Sequence, residues 1–279
     1  MNIVLTSVGN FQDYIIQNIE QHIRLENLSI YVLTNRHFFE KLDSFGSKIT
    51  RIAIEDLEDE YKYNTNSALD TTFRNGFWML TSARFFYIYS FMKQYNISNV
   101  LHFENDVLAY YNTSVLKDIC EPTKLYIPFD TFKRNIASIV YIPNHSIFKT
   151  ILDKYDFKRN DMENFSEIEK TTNLIEHFPI FITNNDTAEH SFVTKNYEKF
   201  NMIFDAAAIG QYLGGVDPRN SPGDTTGFIN ETCIIKYNKY EFIWIINTNG
   251  IKQPYLVIDG KHIPIYNLHI HSKNLQKFM

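Results

Sequence analysis

Two acidic side chains, Glu104 and Asp106, stand one residue apart directly after the apolar run 99–103 (N-V-L-H-F). If this run is a strand of an open α/β sheet, its carboxyl end faces the crevice where such sheets bind ligands. Two carboxylates held close together in a low dielectric repel each other unless a cation lies between them. The pair therefore indicates either a divalent-cation site or a turn with two solvated acids, and the pair alone favours the turn.

Two histidines and a lysine alternate in the segment 268–273 (L-H-I-H-S-K). On a strand, His269 and His271 would point to the same side. Imidazole joins carboxylate as a ligand for manganese-like metals. A pair of surface histidines with no ligand explains this spacing at least as well.

One arginine, Arg84, interrupts the segment 77–95, which is otherwise apolar nearly all round and predicts a buried helix. A guanidinium group does not stay buried without an anion. Arg84 therefore either pairs with Glu104 or Asp106 as a structural bridge or clamps a diphosphate. Arg74 is a weaker candidate for the same binding role.

Asp205 opens the segment 204–215 (F-D-A-A-A-I-G-Q-Y-L-G-G), which predicts a helix over 205–213 with an acidic N-cap and glycines at its end. As an N-cap, Asp205 needs no function, but the helix start and the small alanines also suit a nearby anion or sugar hydroxyl. Gln211 is either a solvated helix residue or a hydrogen-bond donor to sugar hydroxyls.

The elements around these residues alternate in the first half of the chain. Strands are predicted at 2–6, 29–33, 49–54 and 99–103, and helices at 11–24, 37–42 and 77–95. This alternation predicts a parallel sheet with helices on its faces. Further strands are predicted at 126–128, 138–142, 232–237, 242–247, 255–258 and 262–265, with a charged helical or looped segment at 153–176. With no repeat or linker in the sequence, we expect one domain over 1–279.

Composition narrows the function classes. The 279 residues carry a net charge of −5 without a dense basic run, so nucleic acid is not an expected partner. Cys120 and Cys233 are too few for a disulfide framework or a zinc site by themselves. The first ten residues lack the features of a signal peptide, and no segment has the ~20 consecutive apolar residues of a membrane span. We therefore expect a soluble, cytoplasmic protein.

The turn after the first strand is the segment 6–10 (T-S-V-G-N). It is neither a G-x-G-x-x-G fingerprint nor a phosphate-binding P-loop, and no G-x-S-x-G elbow occurs in the chain. These absences argue against a dehydrogenase, a P-loop NTPase and an α/β-hydrolase.

Residues 100–110 (V-L-H-F-E-N-D-V-L-A-Y) resemble the D-x-D motif of GT-A glycosyltransferases, in which an apolar strand also ends in acids, as in bacterial galactosyltransferases and glycogenins. The motif's metal-binding Asp maps onto Asp106 and its first acid onto Glu104. The resemblance implies a GT-A, Rossmann-like α/β fold with a mixed, mainly parallel sheet flanked by helices. It also implies a nucleotide-sugar half over about 1–110, an acceptor half over about 111–279, and Mn²⁺ or Mg²⁺ as cofactor.

The same resemblance gives roles to the later residues. A late histidine ligates the metal in glycogenin-like enzymes, so His271 is the expected ligand and Lys273 the expected diphosphate contact, with His269 as the alternative because the family's wider spacing is absent. The resemblance also favours Arg84 as a residue that faces the nucleotide-sugar donor.

An acid from the region beyond the D-x-D motif binds the donor sugar or acts as the base in such enzymes, and Asp205, Asp130 and Asp224 compete for this role. The resemblance further implies that the first turn cradles the nucleoside through Thr6, Ser7, Gly9 and Asn10.

The implied activity is metal-dependent transfer of a sugar from a nucleotide-diphosphate donor, a UDP-sugar in the first place, to a glycan, lipid or protein acceptor. One alternative is a sugar-phosphate nucleotidyltransferase, which normally carries a glycine-rich, basic signature after the first strand, and residues 7–10 lack it. The other is a non-catalytic carbohydrate-binding protein, whose sheet would be antiparallel throughout.

Overall fold

The computed structural model describes residues 1–183 and 187–279. Its α-helices are α1 (Ile15–Arg24), α2 (Tyr63–Asn66), α3 (Phe77–Gln94), α4 (His145–Leu152), α5 (Asp161–Thr171), α6 (Ala188–Val193), α7 (Tyr197–Phe200) and α8 (Ile209–Gly214). Short 3-10 helices cover Arg36–Lys48, Ile54–Asp56, Phe73–Asn75, Thr113–Leu116, Tyr237–Lys239 and Leu275–Phe278.

The strands are β1 (Asn2–Ser7), β2 (Ile30–Thr34), β3 (Thr50–Ala53), β4 (Val100–Phe103), β5 (Val107–Ala109), β6 (Leu125–Thr131), β7 (Arg134–Asn135), β8 (Ile139–Ile142), β9 (Ile175–Phe178), β10 (Glu241–Ile246), β11 (Lys252–Ile258), β12 (Lys261–Pro264) and β13 (Asn267–His269).

The central sheet has the strand order β3-β2-β1-β4-β8-β6-β7, and β9 pairs with β6 off this path. The first four strands of this order run parallel, whereas β8 is antiparallel to both β4 and β6. The predicted mixed, mainly parallel α/β fold is thus confirmed. Leu5 lies opposite Phe103 in the β1–β4 pairing. The turn after β1 and the acids after β4 therefore meet at one edge of the sheet.

Helix α3 is buried over most of its length, as its apolar sequence predicts. Phe85, Ile88, Phe91 and Met92 are fully enclosed in one core that also contains strand residues such as Val100. The helix contacts α4 and α5 as well, so it is covered on more than one side. This double cover explains why apolar residues occur all round it.

Among the described residues, no helix is long and apolar enough to cross a membrane.

Strand β13 returns from the far end of the chain to pair with β5, antiparallel. In this register, His269 lies opposite Val107, directly after the acidic turn. The N–H of Ile270 also donates to the carbonyl oxygen of Asp106 at 2.8 Å. These backbone bonds bring the late histidine segment against the acidic strand end.

Two predictions of secondary structure were wrong, and one strand was not predicted. The helix predicted over 205–213 begins only at Ile209, with Ala208 at the N-cap position, because the left-handed backbone of Ala207 (φ +54°) interrupts it. Residues 232–237 form turns instead of a strand, because the Lys236 ammonium group donates to the carbonyl oxygens of Glu231 and Cys233, at 2.7 Å each, within this segment. Strand β9 was not predicted, and it begins only at the end of the charged segment 153–176. It is only four residues long and includes Glu176 and His177, so its apolar signal is weak.

Candidate active site

Glu104, Asp106 and His269 form a three-residue group, here called the metal group. One potential ligand atom of each residue lies within 4.8 Å of the others. The Nε2 atom of His269 is 3.2 Å from Oε2 of Glu104 and 3.3 Å from Oδ1 of Asp106. Metal bonds of about 2.1 Å at right angles place neighbouring donors roughly 3 Å apart. Two carboxylates and an imidazole at this spacing could hold a divalent metal ion.

The acidic turn is held in place by amide side chains. Asn18 of α1 donates to the carbonyl oxygens of Glu104 and Asn105, both at 3.1 Å. Asn105 itself donates to the carbonyl oxygen of Thr6 at 2.8 Å and to the side chain of Gln12 at 2.6 Å. The turn is therefore tied both to the helix below it and to the end of β1, which fixes the direction of the two carboxylates.

Lys273 contacts the other oxygen of the Asp106 carboxylate. Its ammonium group binds Oδ2 and lies 5.5 Å from the ring centre of Tyr14, while Oδ1 faces His269. Burial by itself would raise the pKa of Asp106, but Lys273 and His269 outweigh it and hold the pKa well below its usual range. The carboxylate can thus face a lysine on one oxygen and a cation on the other.

The two histidines take different positions. His271 lies outside the three-residue group and contacts Nε2 of Gln211 through its Nδ1 atom at 3.1 Å. Burial, followed by the neighbouring His269, lowers the pKa of His271. For His269, burial lowers the pKa but Asp106 and Glu104 reverse the shift and raise it. The structure thus brings His269 to the acids, in place of the expected His271, because β13 ends at His269 and the chain then turns.

Arg84 joins Glu104 of the three-residue group to the buried Asp161, and it borders all three cavities described below. Its guanidinium group contacts Glu104, lies 2.9 Å from Oδ2 of Asp161 and donates to the carbonyl oxygen of Ala137 at 3.0 Å. Burial by itself would lower the pKa of Arg84, but Glu104 and Asp161 outweigh burial, so the pKa lies above its usual value. Of the two roles left open by the sequence, the geometry supports the bridge.

Asp205 is completely buried and does not reach a cavity. Its Oδ1 atom accepts from the N–H groups of Ala208 and Ile209, at 2.9 Å each, and its Oδ2 atom accepts from Gly210 and His269, at 2.8 Å each. With its lone pairs occupied by four N–H groups, it cannot also receive an acceptor proton. The expected sugar-binding or base role is therefore replaced by a structural one.

The two other candidate acids also lie away from the metal group. Asp130 is completely buried in β6 and pairs with Arg134. Burial raises the pKa of Asp130 despite this arginine. Asp224 is exposed and accepts from the N–H of Thr226 at 2.9 Å. Neither lines the cavities described next, so the structure does not support them as bases.

Three adjoining cavities surround the metal group. The first, here called the first-turn cavity, has a volume of about 530 Å³, and the predicted residues Thr6, Ser7, Gly9 and Asn10 line it. The second, the acid-lined cavity, measures about 340 Å³ and contains Glu104, Asp106, His269, His271 and Lys273. The third, the Trp78 pocket, measures about 170 Å³ and shares Glu104 and His269 with the second.

Arg219 and Tyr14 are site residues that the sequence analysis missed. Arg219 borders the first two cavities and is held by Asp217, whose Oδ2 atom lies 2.6 Å from its guanidinium group. This pairing, with burial acting against it, lowers the pKa of Asp217 to about 2. Tyr14 borders the acid-lined cavity next to Lys273. The sequence offers no motif for either, although Arg219 follows the Gly214-Gly215 helix end closely.

Arg74 borders the same two cavities and contacts the side-chain oxygen of Asn220. Within residues 1–183 and 187–279, it has no carboxylate partner. It is therefore better placed than Arg84 to receive an anion.

No family model and no curated protein matches this chain. Among solved structures, the galactosyltransferase LgtC, as its Q189E active-site mutant, is similar over 70% of this chain and 83% of its own, with 14% identity and a TM-score of 0.46. The glycosyltransferase GlyE of Streptococcus pneumoniae TIGR4 is similar over 63% of this chain, with 14% identity and a TM-score of 0.42.

The match covers 44% of the GlyE chain, so this chain spans less than half of that protein. A cytidylyltransferase of Leptospira borgpetersenii serovar Hardjo-bovis (strain JB197) is similar over 72% of this chain and 83% of its own, with 13% identity and a TM-score of 0.38. Glycosyltransferases are thus among the solved structures that resemble this chain, as the acidic strand end predicts. At these identities, the similarity is one of fold.

Proposed function

We propose that this protein is a metal-dependent glycosyltransferase that moves a sugar from a UDP-sugar to an acceptor hydroxyl. One observation carries the proposal: Glu104, Asp106, His269 and Lys273 converge at the carboxyl end of β4, where the first-turn cavity, the acid-lined cavity and the Trp78 pocket meet. A nucleoside, a diphosphate and a sugar follow one another in the donor, and three adjoining cavities can take them in that order.

The nucleoside end of the donor is assigned to the first-turn cavity. Its floor is the segment after β1, where Gly9 has a φ of +72° and donates its N–H to Asn35 at 2.8 Å. The Ser7 hydroxyl donates to the carbonyl oxygen of Asn10 at 2.9 Å and so closes the turn. Small residues in a closed turn let a planar ring approach the backbone.

The diphosphate is assigned to the acid-lined cavity. Lys273, Arg74 and Arg219 border it and supply positive charge and hydrogen-bond donors for phosphate oxygens. Glu104, Asp106 and His269 would hold the cation. When bound there, Mn²⁺ or Mg²⁺ neutralises charge that develops on the departing diphosphate.

The transfer breaks the bond between the anomeric carbon and the β-phosphate oxygen, and both electrons leave with UDP. The acceptor oxygen forms the new bond to the anomeric carbon, and its proton passes to an oxygen of the departing diphosphate. Asp205 and Asp130 are enclosed by their own partners. Of the acids that line the cavities outside the metal group, Asp161 pairs with Arg84 and Asp217 with Arg219, so we assign the proton to the diphosphate. A reaction of this kind needs no protein base on the opposite face of the sugar and retains the anomeric configuration.

The test is to incubate the protein with UDP-sugars and Mn²⁺, with and without a chelator, and to measure UDP release. Slow metal-dependent release without an acceptor is expected. Pyrophosphate release from a nucleoside triphosphate and a sugar 1-phosphate, with intact UDP-sugars, would instead identify a nucleotidyltransferase. Sugar binding without any turnover would contradict both enzyme assignments.

A further inference from the structure

The Trp78 pocket has mainly apolar walls. Phe77 and Trp78, at the start of α3, form one side with their rings 4.9 Å apart at 73°. Ile136, Met162 and Ala207 contribute to the lining. At about 170 Å³, the pocket is smaller than the roughly 300–1,000 Å³ of most small-molecule sites, so it admits one ring-sized group and no chain.

A buried hydroxyl group without a partner lies beside this pocket. Ser138 lines it and is only 1% exposed, yet its hydroxyl oxygen has no hydrogen-bond partner among the described residues. The Ser138 carbonyl oxygen accepts the N–H of Glu104 at 2.8 Å, so the serine is fixed beside the metal group. Buried hydroxyl groups are normally hydrogen-bonded. An unsatisfied hydroxyl beside a ring-sized pocket indicates a ligand with its own polar atoms.

The backbone at the pocket is also unusual. Ala207 has a φ of +54°, in the left-handed region that residues with a Cβ rarely adopt. Such conformations persist where the surrounding structure enforces them and cluster at ligand sites. Here the two neighbouring N–H groups of Ala208 and Ile209 are fixed on Asp205, which holds Ala207 against the pocket.

We propose that this pocket takes the sugar ring of the donor and selects a sugar with a methyl-bearing substituent, either an acetamido group or a 6-deoxy carbon. This inference rests on the proposed function and adds the class of sugar. Polar side chains such as Thr81, Arg84 and Glu104 also line the pocket and can pair with some hydroxyl groups of a plain hexose. The hydroxyl groups that face Phe77, Ile136 and Met162 would stay unpaired, at a cost in affinity. A methyl group buries against these walls, while Ser138 binds a remaining hydroxyl or carbonyl oxygen.

The chain has two tryptophans, which makes the test direct. Trp244 packs against Tyr110 and Phe278, away from the three cavities, so Trp244→Phe leaves Trp78 as the sole indole reporter. This variant is titrated with UDP, UDP-glucose, UDP-6-deoxyglucose and UDP-N-acetylglucosamine in the presence of Mg²⁺. At least one methyl-bearing donor should bind about 10-fold tighter or more than UDP-glucose and change Trp78 fluorescence more than UDP does. A preference for UDP-6-deoxyglucose would place the methyl group at C6 of the sugar, and a preference for UDP-N-acetylglucosamine would place it in the acetamido group at C2.

Two variants check the assignment. Met162→Ala, which among the three cavities alters only the Trp78 pocket, should keep the UDP affinity, measured by calorimetry, and lose most of the preference for the methyl-bearing donor. Ser138→Ala, which removes one oxygen atom, should weaken all UDP-sugars and leave UDP unchanged. Equal affinity for all three sugars in the Trp244→Phe protein, with UDP still bound, would overturn the sugar assignment alone. Loss of metal-dependent UDP binding and of all donor turnover would instead overturn the proposed function.

Discussion

The backbone N–H of His269 donates a hydrogen bond of 2.8 Å to the buried carboxylate of Asp205. The same carboxylate accepts the N–H groups at the start of α8. One acid therefore joins a helix end to the strand that carries the candidate metal ligand. The site's geometry depends on a residue that never touches the ligand.

Asp205→Asn should weaken metal binding because an amide offers one acceptor oxygen where the carboxylate offers two. Partners of the ring of a metal-ligating histidine commonly contribute about 10- to 100-fold in metal affinity, and for this bond to the backbone of His269 we expect the lower end, about 10-fold. Manganese affinity can be read from the electron paramagnetic resonance of free Mn²⁺. Asp224→Asn, at an exposed acid, is the control and should bind as the unmodified protein does. Unchanged affinity in Asp205→Asn would show that the strand holds its position without this bond.

Gly210→Ala should disturb the same junction by steric contact. A Cβ atom at this position would lie 2.1 Å from the carbonyl oxygen of His269 and 2.9 Å from Oδ2 of Asp205. We expect a loss of about 1–3 kcal/mol in the free energy of unfolding together with weaker Mn²⁺ binding. Gly214→Ala in the same helix is the control, since its Cβ would only approach the ring of Phe278, at 3.0 Å. Urea unfolding of the two variants compares them, and equal stabilities would contradict the expectation.

Asp106→Asn should abolish transfer and the metal-dependent part of UDP binding, since a neutral amide is a weaker ligand than a carboxylate. In the unmodified protein, UDP at ~100 times its Kd should raise the free energy of unfolding by about 2.7 kcal/mol. We expect the corresponding rise in Tm only when Mn²⁺ or Mg²⁺ is present. The measurement is a thermal melt with UDP, with the cation or with a chelator. A full shift in the chelated sample would argue against a metal-bridged diphosphate.

Arg84→Lys and Arg74→Lys should have opposite effects. Arg84 bridges Glu104 and Asp161, and breaking a buried pair costs about 3–5 kcal/mol. Its variant should melt earlier and should lose less UDP affinity per folded molecule than the Arg74 variant does, because Arg84 acts on the site through Glu104. Arg74 has only the amide of Asn220 as partner, so its variant should melt normally and bind UDP more weakly. Calorimetric UDP affinities and melting temperatures of the two variants distinguish the structural role from the binding role. The reverse result would make Arg84 the residue that binds UDP and Arg74 the structural one.

Acid should destabilise the protein through two buried histidines. Burial lowers the pKa of His22 to about 3, and burial together with Arg84 lowers the pKa of His102 to about 3. In the unfolded chain an imidazole is protonated near pH 6.5. Between these two values the unfolded state binds more protons, so stability present above pH 6.5 is lost as the pH falls towards 3, on the order of a few kcal/mol for each histidine.

Urea unfolding at pH 7.5, 6 and 4.5 measures this loss. His22→Asn should flatten the dependence on pH, whereas a substitution of the exposed His262 with Gln should leave it unchanged. A profile that stays flat in the unmodified protein across this range would show that the two rings are not kept neutral by folding.

Much of the sheet edge could be predicted from local sequence. The strand that ends at Phe103, the helix around Arg84 and the turn after β1 each have a clear apolar or turn pattern in a few consecutive residues. The position of the acids follows from that pattern and from the general rule that ligands bind at carboxyl ends of strands. The importance of Lys273 and of the late histidines could be predicted only through resemblance.

Other features of the site depend on contacts between distant residues. The choice of His269 over His271 follows from the register between β13 and β5, which no local pattern specifies. Asp205 looks like an ordinary helix cap in sequence, and its fourth bond, to His269, joins residues 64 positions apart. Arg74 lies in a single 3-10 turn, at a φ of +47°, and Arg219 lies in an irregular segment, and tertiary packing sets the course of both over the cavities.

The pairing of β13 with β5 has a consequence for biosynthesis. Asp106 and Lys273, which meet at the candidate metal site, are 167 residues apart in sequence. While the ribosome is still adding the residues between them, the nascent chain can form β1, α1 and the acidic turn, but it has no imidazole or ammonium group to complete the centre. Long-range contacts of this kind form late in folding. A growing or prematurely terminated chain would therefore lack the complete centre, and the proposed sugar transfer could begin only after synthesis has passed Lys273.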